Sequence, residues 1–134
     1  MIIADTGVIV ALFDANEEHH LVVRELFESN PRVWILPWAI LPEVDYMLCT
    51  RVGRSSQNDF LVGVANGAWQ IDRGTPQDLA RAYQFHVKLR VGLVDGVVMA
   101  TAERLGATAI ATLDLRHFAT ASIRGKPLLL PRDL

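Results

Sequence analysis

Short apolar runs alternate with longer stretches in which apolar residues recur every three or four positions, and this alternation continues from Met1 to Leu130. The runs MIIAD, VWIL, WQI, AIATL and PLLL have the length of buried strands and end at polar or turn residues. They predict strands near 1–5, 33–36, 69–71, 109–113 and 127–130. The stretches of helical period predict helices near 17–29, 38–50, 56–66, 76–90, 95–105 and briefly 115–118. Strands alternating with helices imply a mainly parallel sheet covered by helices. Gly53, Gly67, Gly74, Gly92 and Gly106 fall at the joins, and Pro37, Pro42 and Pro76 suit helix beginnings, with Pro42 delaying the regular helix to about Leu41. No linker, repeat or low-complexity segment interrupts the pattern, so residues 1–134 are expected to form one domain.

The stripes assign faces. In WAILPEVDYMLCTR the apolar stripe is Ile40, Leu41, Val44, Met47 and Leu48, which sets Glu43 on its flank beside Ile40 and Met47, with Asp45 solvated on the other flank. A stripe of Leu79, Tyr83, His86 and Leu89 makes His86 a partly buried packing residue, while His19 and His20 face solvent or an interface early in NEEHHLVVRELF. Trp34, Trp38 and Trp69 have apolar neighbours, which favours core or interface packing over stacking on bases. Cys49 lies beside Met47 and Leu48 and reads as a small core residue. A single cysteine excludes an intramolecular disulfide and suits a reducing, cytoplasmic setting. The absence of 18 consecutive apolar residues speaks against a membrane span, and the acidic N-terminal stretch against a signal peptide.

Four carboxylates stand where apolar segments end. Asp5 closes MIIAD and is followed by Thr6 and Gly7; Asp95 falls in the first turn or N-cap position of a helix carrying Val94, Val98, Ala102 and Leu105; Asp114 closes ATAIATLD and is expected to repeat the geometry of Asp5. Glu43 flanks the stripe described above. Alone, each Asp is an ordinary helix cap and Glu43 an ordinary solvated residue. Together they fit a cluster outside the carboxyl ends of a parallel sheet, where open α/β folds bind ligands. Clustered carboxylates repel and retain protons unless a cation offsets them, and hard oxygen donors without Cys or paired His favour Mg²⁺ or Mn²⁺ over Zn²⁺. Such a centre suits hydrolysis of phosphodiesters without a side-chain nucleophile. A net charge of −2 and a pI near 6.0 exclude nucleic-acid binding by global attraction, leaving local contacts from residues such as Arg51, Arg54, Arg116 and Lys126.

The order Asp-Thr near the start, Pro-Glu-Val, Leu-Val-Asp-Gly-Val-Val, then Thr-Leu-Asp with Phe118 shortly after, resembles the PIN-domain nucleases. Within them it resembles the small VapC-type ribonuclease toxins, over essentially the whole chain from Ile2 to Leu130. The resemblance implies a three-layer α/β/α sandwich and a Mg²⁺- or Mn²⁺-dependent endoribonuclease. It further implies a cognate antitoxin as partner and a homodimer. Asp5, Glu43, Asp95 and Asp114 take the places of the family's acidic quartet, with Asp5, Asp95 and Asp114 as metal ligands, and Thr6 and Thr112 match its supporting hydroxyls. Gly7 replaces a Ser or Asn, Gly96 a small Ala, and His117 a further acid found in some members. The reading is therefore one strongly held metal, with a second arriving alongside RNA, and contact of Arg51, Arg54, Arg116 and His117 with RNA. The groove for an antitoxin segment is expected between helices carrying Val22, Val23, Leu26, Phe27 and Tyr46, Met47, Leu48.

Three other functions fit parts of the pattern. A PIN nuclease of RNA maturation would lack an antitoxin, and a silent binding module would lack cleavage. A phosphotransferase using Asp5 as nucleophile lacks the second Asp two residues on and a Lys placed to hold the phosphate.

Overall fold

Five three- or four-residue strands form one parallel sheet in the order β3-β2-β1-β4-β5, in a computed structural model that describes residues 1–134. The strands are β1 (Ile2–Ala4), β2 (Trp34–Pro37), β3 (Gln70–Asp72), β4 (Ala109–Ala111) and β5 (Leu128–Leu130). The helices are α1 (Thr6–Phe13), α2 (His20–Ser29), α3 (Leu41–Met47), α4 (Arg54–Ala65), α5 (Pro76–Leu89), α6 (Leu93–Leu105) and α7 (Leu115–Phe118). Helix α1 packs on α2 and α3, α5 packs on α6, and the sheet lies between helical layers in a three-layer α/β/α sandwich. Ile3, Ala4, Trp34, Leu36, Ile110 and Ala111 are buried, as strands covered on both faces require.

The chain walks outward from β1 through β2 to β3, then returns to place β4 on the other side of β1. The junction of β1 and β4 is thus a topological switch point, the place where such sheets open a crevice.

Helix α1 has no counterpart among the predicted elements. Val8, Ile9, Val10 and Ala11 are all buried, so the segment is apolar around most of its circumference and shows no amphipathic period. The helix predicted over 38–50 is three pieces: a 3₁₀ turn at Trp38–Ile40, α3 from Leu41 with Pro42 in its first turn, and a π turn at Leu48–Val52 closed by Gly53 at φ 145°. In this segment Cys49 is exposed rather than in the core, because Val44 and Leu48 supply the buried face and Cys49 is rotated off it.

Of the stripe assigned to α5, Leu89 packs against the core but Leu79, Tyr83 and His86 face the other way. The buried residues of α5 are Asp78, Ala82 and Phe85, whereas Leu79, Tyr83, His86 and Val87 are exposed. Asp78 escapes solvent because it closes a capping box with Thr75 and accepts from Arg104 Nε at 3.0 Å. The other charges between α5 and α6 are paired in the same way: Arg81 Nε and Nη2 donate to the two oxygens of Glu103 at 2.7 and 3.0 Å, and Arg104 reaches Asp72. The two helices approach closely at Gly96, where an added Cβ would lie 2.9 Å from Ala82 Cβ and 3.0 Å from its Cα and carbonyl oxygen.

The expected apolar groove between α2 and the 41–52 segment is largely consumed by the core. Val23 and Leu48 are fully buried, and Val22, Leu26, Phe27 and Met47 pack against the core, leaving Tyr46 exposed.

Candidate functional site

Asp5 follows β1 directly and caps α1, its Oδ1 accepting from the Thr6 N–H at 2.8 Å. On the neighbouring strand the register pairs Ala4 with Ala111, which puts Thr112, not Asp114, level with Asp5. Asp114 lies two residues further on and so does not repeat the Asp5 geometry; it stands at the N-cap position of the short α7 without a capping hydrogen bond from its side chain. Thr112 is buried, donates its hydroxyl to Asp5 Oδ2 at 2.8 Å and accepts from the Asp114 N–H at 3.0 Å. One hydroxyl therefore ties the two strand-end acids together.

Asp95 sits in the first turn of α6 and Glu43 in the first turn of α3, each where the sequence placed it. The structure brings all four acids to one cleft at the β1/β4 switch point, lined by Asp5, Thr6, Gly7, Glu43, Met47, Asp95, Leu113 and Asp114. Met47, expected beside Glu43, and Leu113 form apolar walls; Leu113 was not singled out by the sequence, although its place between Thr112 and Asp114 was the available signal. Arg51 and Arg54 are exposed on the π turn and the start of α4, and Arg116 is exposed on α7; none of them lines the cleft. His117 lies with its Nδ1 3.2 Å from Asp95 Oδ2 and 3.3 Å from Asp114 Oδ2, beside the acids.

Electrostatics follow from this placement. Burial, with Asp5 only 5% exposed, raises its carboxyl to about 7; repulsion from Asp95 and Glu43 adds to the shift, and the hydrogen bonds from Thr112 and the Thr6 N–H oppose it. Asp95 is raised too, by burial first and by Asp114 and Glu43, with His117 opposing. No Lys or Arg lines the cleft to offset these charges. Thr6, 3% exposed, also lines the cleft, and its hydroxyl is buried without a hydrogen-bond partner. Hard oxygen donors with no Lys or Arg among them, beside an unpaired hydroxyl, have the chemistry that could hold a hydrated divalent cation.

The PIN domain profile matches residues 2–123. This chain belongs to the PIN domain family. Among PIN relatives it is similar to Ribonuclease VapC26 of Mycobacterium tuberculosis, with 32% identity over 120 residues that span 87% of this chain and 89% of the relative. Its PIN fold is shared with the crystal structure of Mycobacterium tuberculosis VapC20, a sarcin-ricin loop cleaving toxin, at a TM-score of 0.79 and 20% identity, covering 89% of this chain and 94% of that one. A toxin-antitoxin complex from Klebsiella pneumoniae contains a chain of the same PIN fold, at a TM-score of 0.67 and 19% identity, covering 93% of this chain and 94% of the other. No helix of this PIN protein is long and apolar enough to cross a membrane.

Proposed function

We propose that this protein is a metal-dependent endoribonuclease and the toxin of a toxin–antitoxin pair, acting in the cytoplasm as one unit spanning residues 1–134. The observation that carries the reading is the convergence of Asp5, Glu43, Asp95 and Asp114, from four separate elements, on a cleft that no cationic side chain lines. The likeness to Ribonuclease VapC26 supports RNA as substrate, and the fold shared with a chain from a toxin–antitoxin complex supports a cognate antitoxin.

Asp5, Asp95 and Asp114 would hold the divalent cation, Mg²⁺ or Mn²⁺, which when bound would supply positive charge to acidify a water and polarise the phosphodiester. Thr112 fixes Asp5 through Oδ2 while the Thr6 N–H fixes Oδ1, so the buried carboxylate has one orientation. Glu43 is exposed on the rim, where it would accept a proton from the attacking water. Arg51, Arg54 and Arg116, outside the cleft, contact flanking phosphates. Leu79, Tyr83 and Val87 recur every four residues on α5 and are exposed beside Leu93, an apolar face that a second copy of the chain covers in a homodimer.

Total cellular RNA incubated with the purified protein tests the reading. Discrete fragments that require Mg²⁺ or Mn²⁺ and vanish with EDTA and with Asp95→Asn are expected. Intact RNA under every condition, with the cation bound, would overturn it in favour of a silent binding module.

A further inference from the structure

His117 stands beside the acids but does not line their cleft, and its Nδ1 is nearly equidistant from Asp95 Oδ2, at 3.2 Å, and Asp114 Oδ2, at 3.3 Å. An imidazolium in a charge-assisted hydrogen bond draws one carboxylate oxygen to about 2.7–2.9 Å. The Asp95 contact is a hydrogen bond at the long end of the ordinary N–H···O range, and one N–H cannot point straight at both acceptors. The same spacing also matches donor atoms around one cation. Ligand distances of about 2.1 Å place neighbouring donors roughly 3.0–3.4 Å apart in octahedral or tetrahedral coordination. Donor atoms of all three residues lie within 4.8 Å of one another.

We propose that His117 Nδ1, Asp95 Oδ2 and Asp114 Oδ2 form a mixed nitrogen–oxygen position on the flank of the acidic cleft, which takes Mn²⁺, Co²⁺ or Zn²⁺ in preference to Mg²⁺ and fills without RNA. The inference rests on the metal-centre reading above, because it shares Asp95 and Asp114 with that centre, and it concerns a position beside it. Imidazole suits first-row transition ions, whereas Mg²⁺ prefers oxygen donors and keeps its waters. His117 is held for this role by its neighbour Phe118, which is buried in the core, and by its place three residues after Asp114 on one short helix. Asp95 presents Oδ2 to His117, which leaves its other oxygen for the cleft.

The test uses the purified chain with metal salts alone. Pulsed electron paramagnetic resonance of the Mn²⁺-loaded protein is expected to show coupling to an imidazole nitrogen, lost in His117→Gln and His117→Asp. Calorimetry is expected to show Co²⁺ affinity falling at least about ten-fold in both variants, with Mg²⁺ affinity unchanged in His117→Gln and unchanged or higher in His117→Asp. Thermal unfolding of each variant confirms that the fold is retained. Mn²⁺ binding and RNA cleavage without nitrogen coupling, and with an unaltered Co²⁺/Mg²⁺ preference in the variants, would overturn the role of His117 and leave the nuclease reading intact. Failure of the wild-type chain to bind any of these ions would overturn both.

Discussion

Thr112 and Asp5 stand side by side at the ends of adjacent parallel strands, and the Thr112 hydroxyl donates to Asp5 Oδ2 at 2.8 Å. Because the same hydroxyl accepts from the Asp114 N–H, its loss releases two acids at once. Thr112→Val, which keeps the shape, is expected to lower Mn²⁺ affinity by about 10- to 100-fold, whereas Thr112→Ser retains most of it. Isothermal calorimetry measures both; equal affinities in the two variants would contradict the positioning role.

Asp5 sets a stability cost that depends on pH. Its folded-state pKa, about 7, lies above the ordinary 3.8, so the contribution of its protonated form is full below pH 3.8 and is lost as pH rises through 7. At about 1.4 kcal/mol per pH unit, the metal-free fold loses up to about 4 kcal/mol over that window from this group. In EDTA, Asp5→Asn is expected to unfold several degrees above wild type at pH 8 and to converge with it near pH 4. A parallel offset at both pH values would show that burial of this charge is not the cause.

Gly96 follows a proposed ligand and faces the backbone of Ala82 at 3.0 Å. Gly96→Ala must push α5 and α6 apart, at a cost of about 1–3 kcal/mol, despite the higher helix propensity of Ala. Chemical denaturation reads the loss, and a variant as stable as wild type would mean the contact is softer than the geometry states. By contrast, a Cβ at Gly7 meets only Leu113 Cβ at 4.0 Å, so Gly7→Ala is expected to stabilise α1 by about 0.5–1 kcal/mol.

The exposed α5 face is tested by charge. Tyr83→Glu is expected to convert a dimer to a monomer in light scattering while leaving the circular dichroism spectrum unchanged. A wild-type chain that is monomeric at high concentration would remove the second copy from the proposed function.

The sequence was most legible where burial and period agree. All five strands lie within a residue or two of their expected positions, and Pro42 marks the start of α3. The four acids were legible because each sits at the edge of an apolar segment, and they do converge on one cleft. Helix α1 was illegible because a helix buried on most sides has no polar face to give a period. On α5 the apolar residues misled, since Leu79, Tyr83 and Val87 face outward while the buried face includes Asp78, neutralised by Arg104 and its own cap. Strand register was equally hidden: only the pairing of Ala4 with Ala111 reveals that Thr112, rather than Asp114, is the counterpart of Asp5.

The carboxylates of the cleft come from positions 5, 43, 95 and 114, and two of them meet only where the first strand is zipped to the fourth. A chain that ends between Asp95 and Thr112 carries three of the four acids and lacks the strand end that stands beside Asp5. The proposed cutting site is thus a property of the closed sheet and belongs to no shorter stretch of the chain: separating the first strand from the fourth dismantles it without touching a single acid.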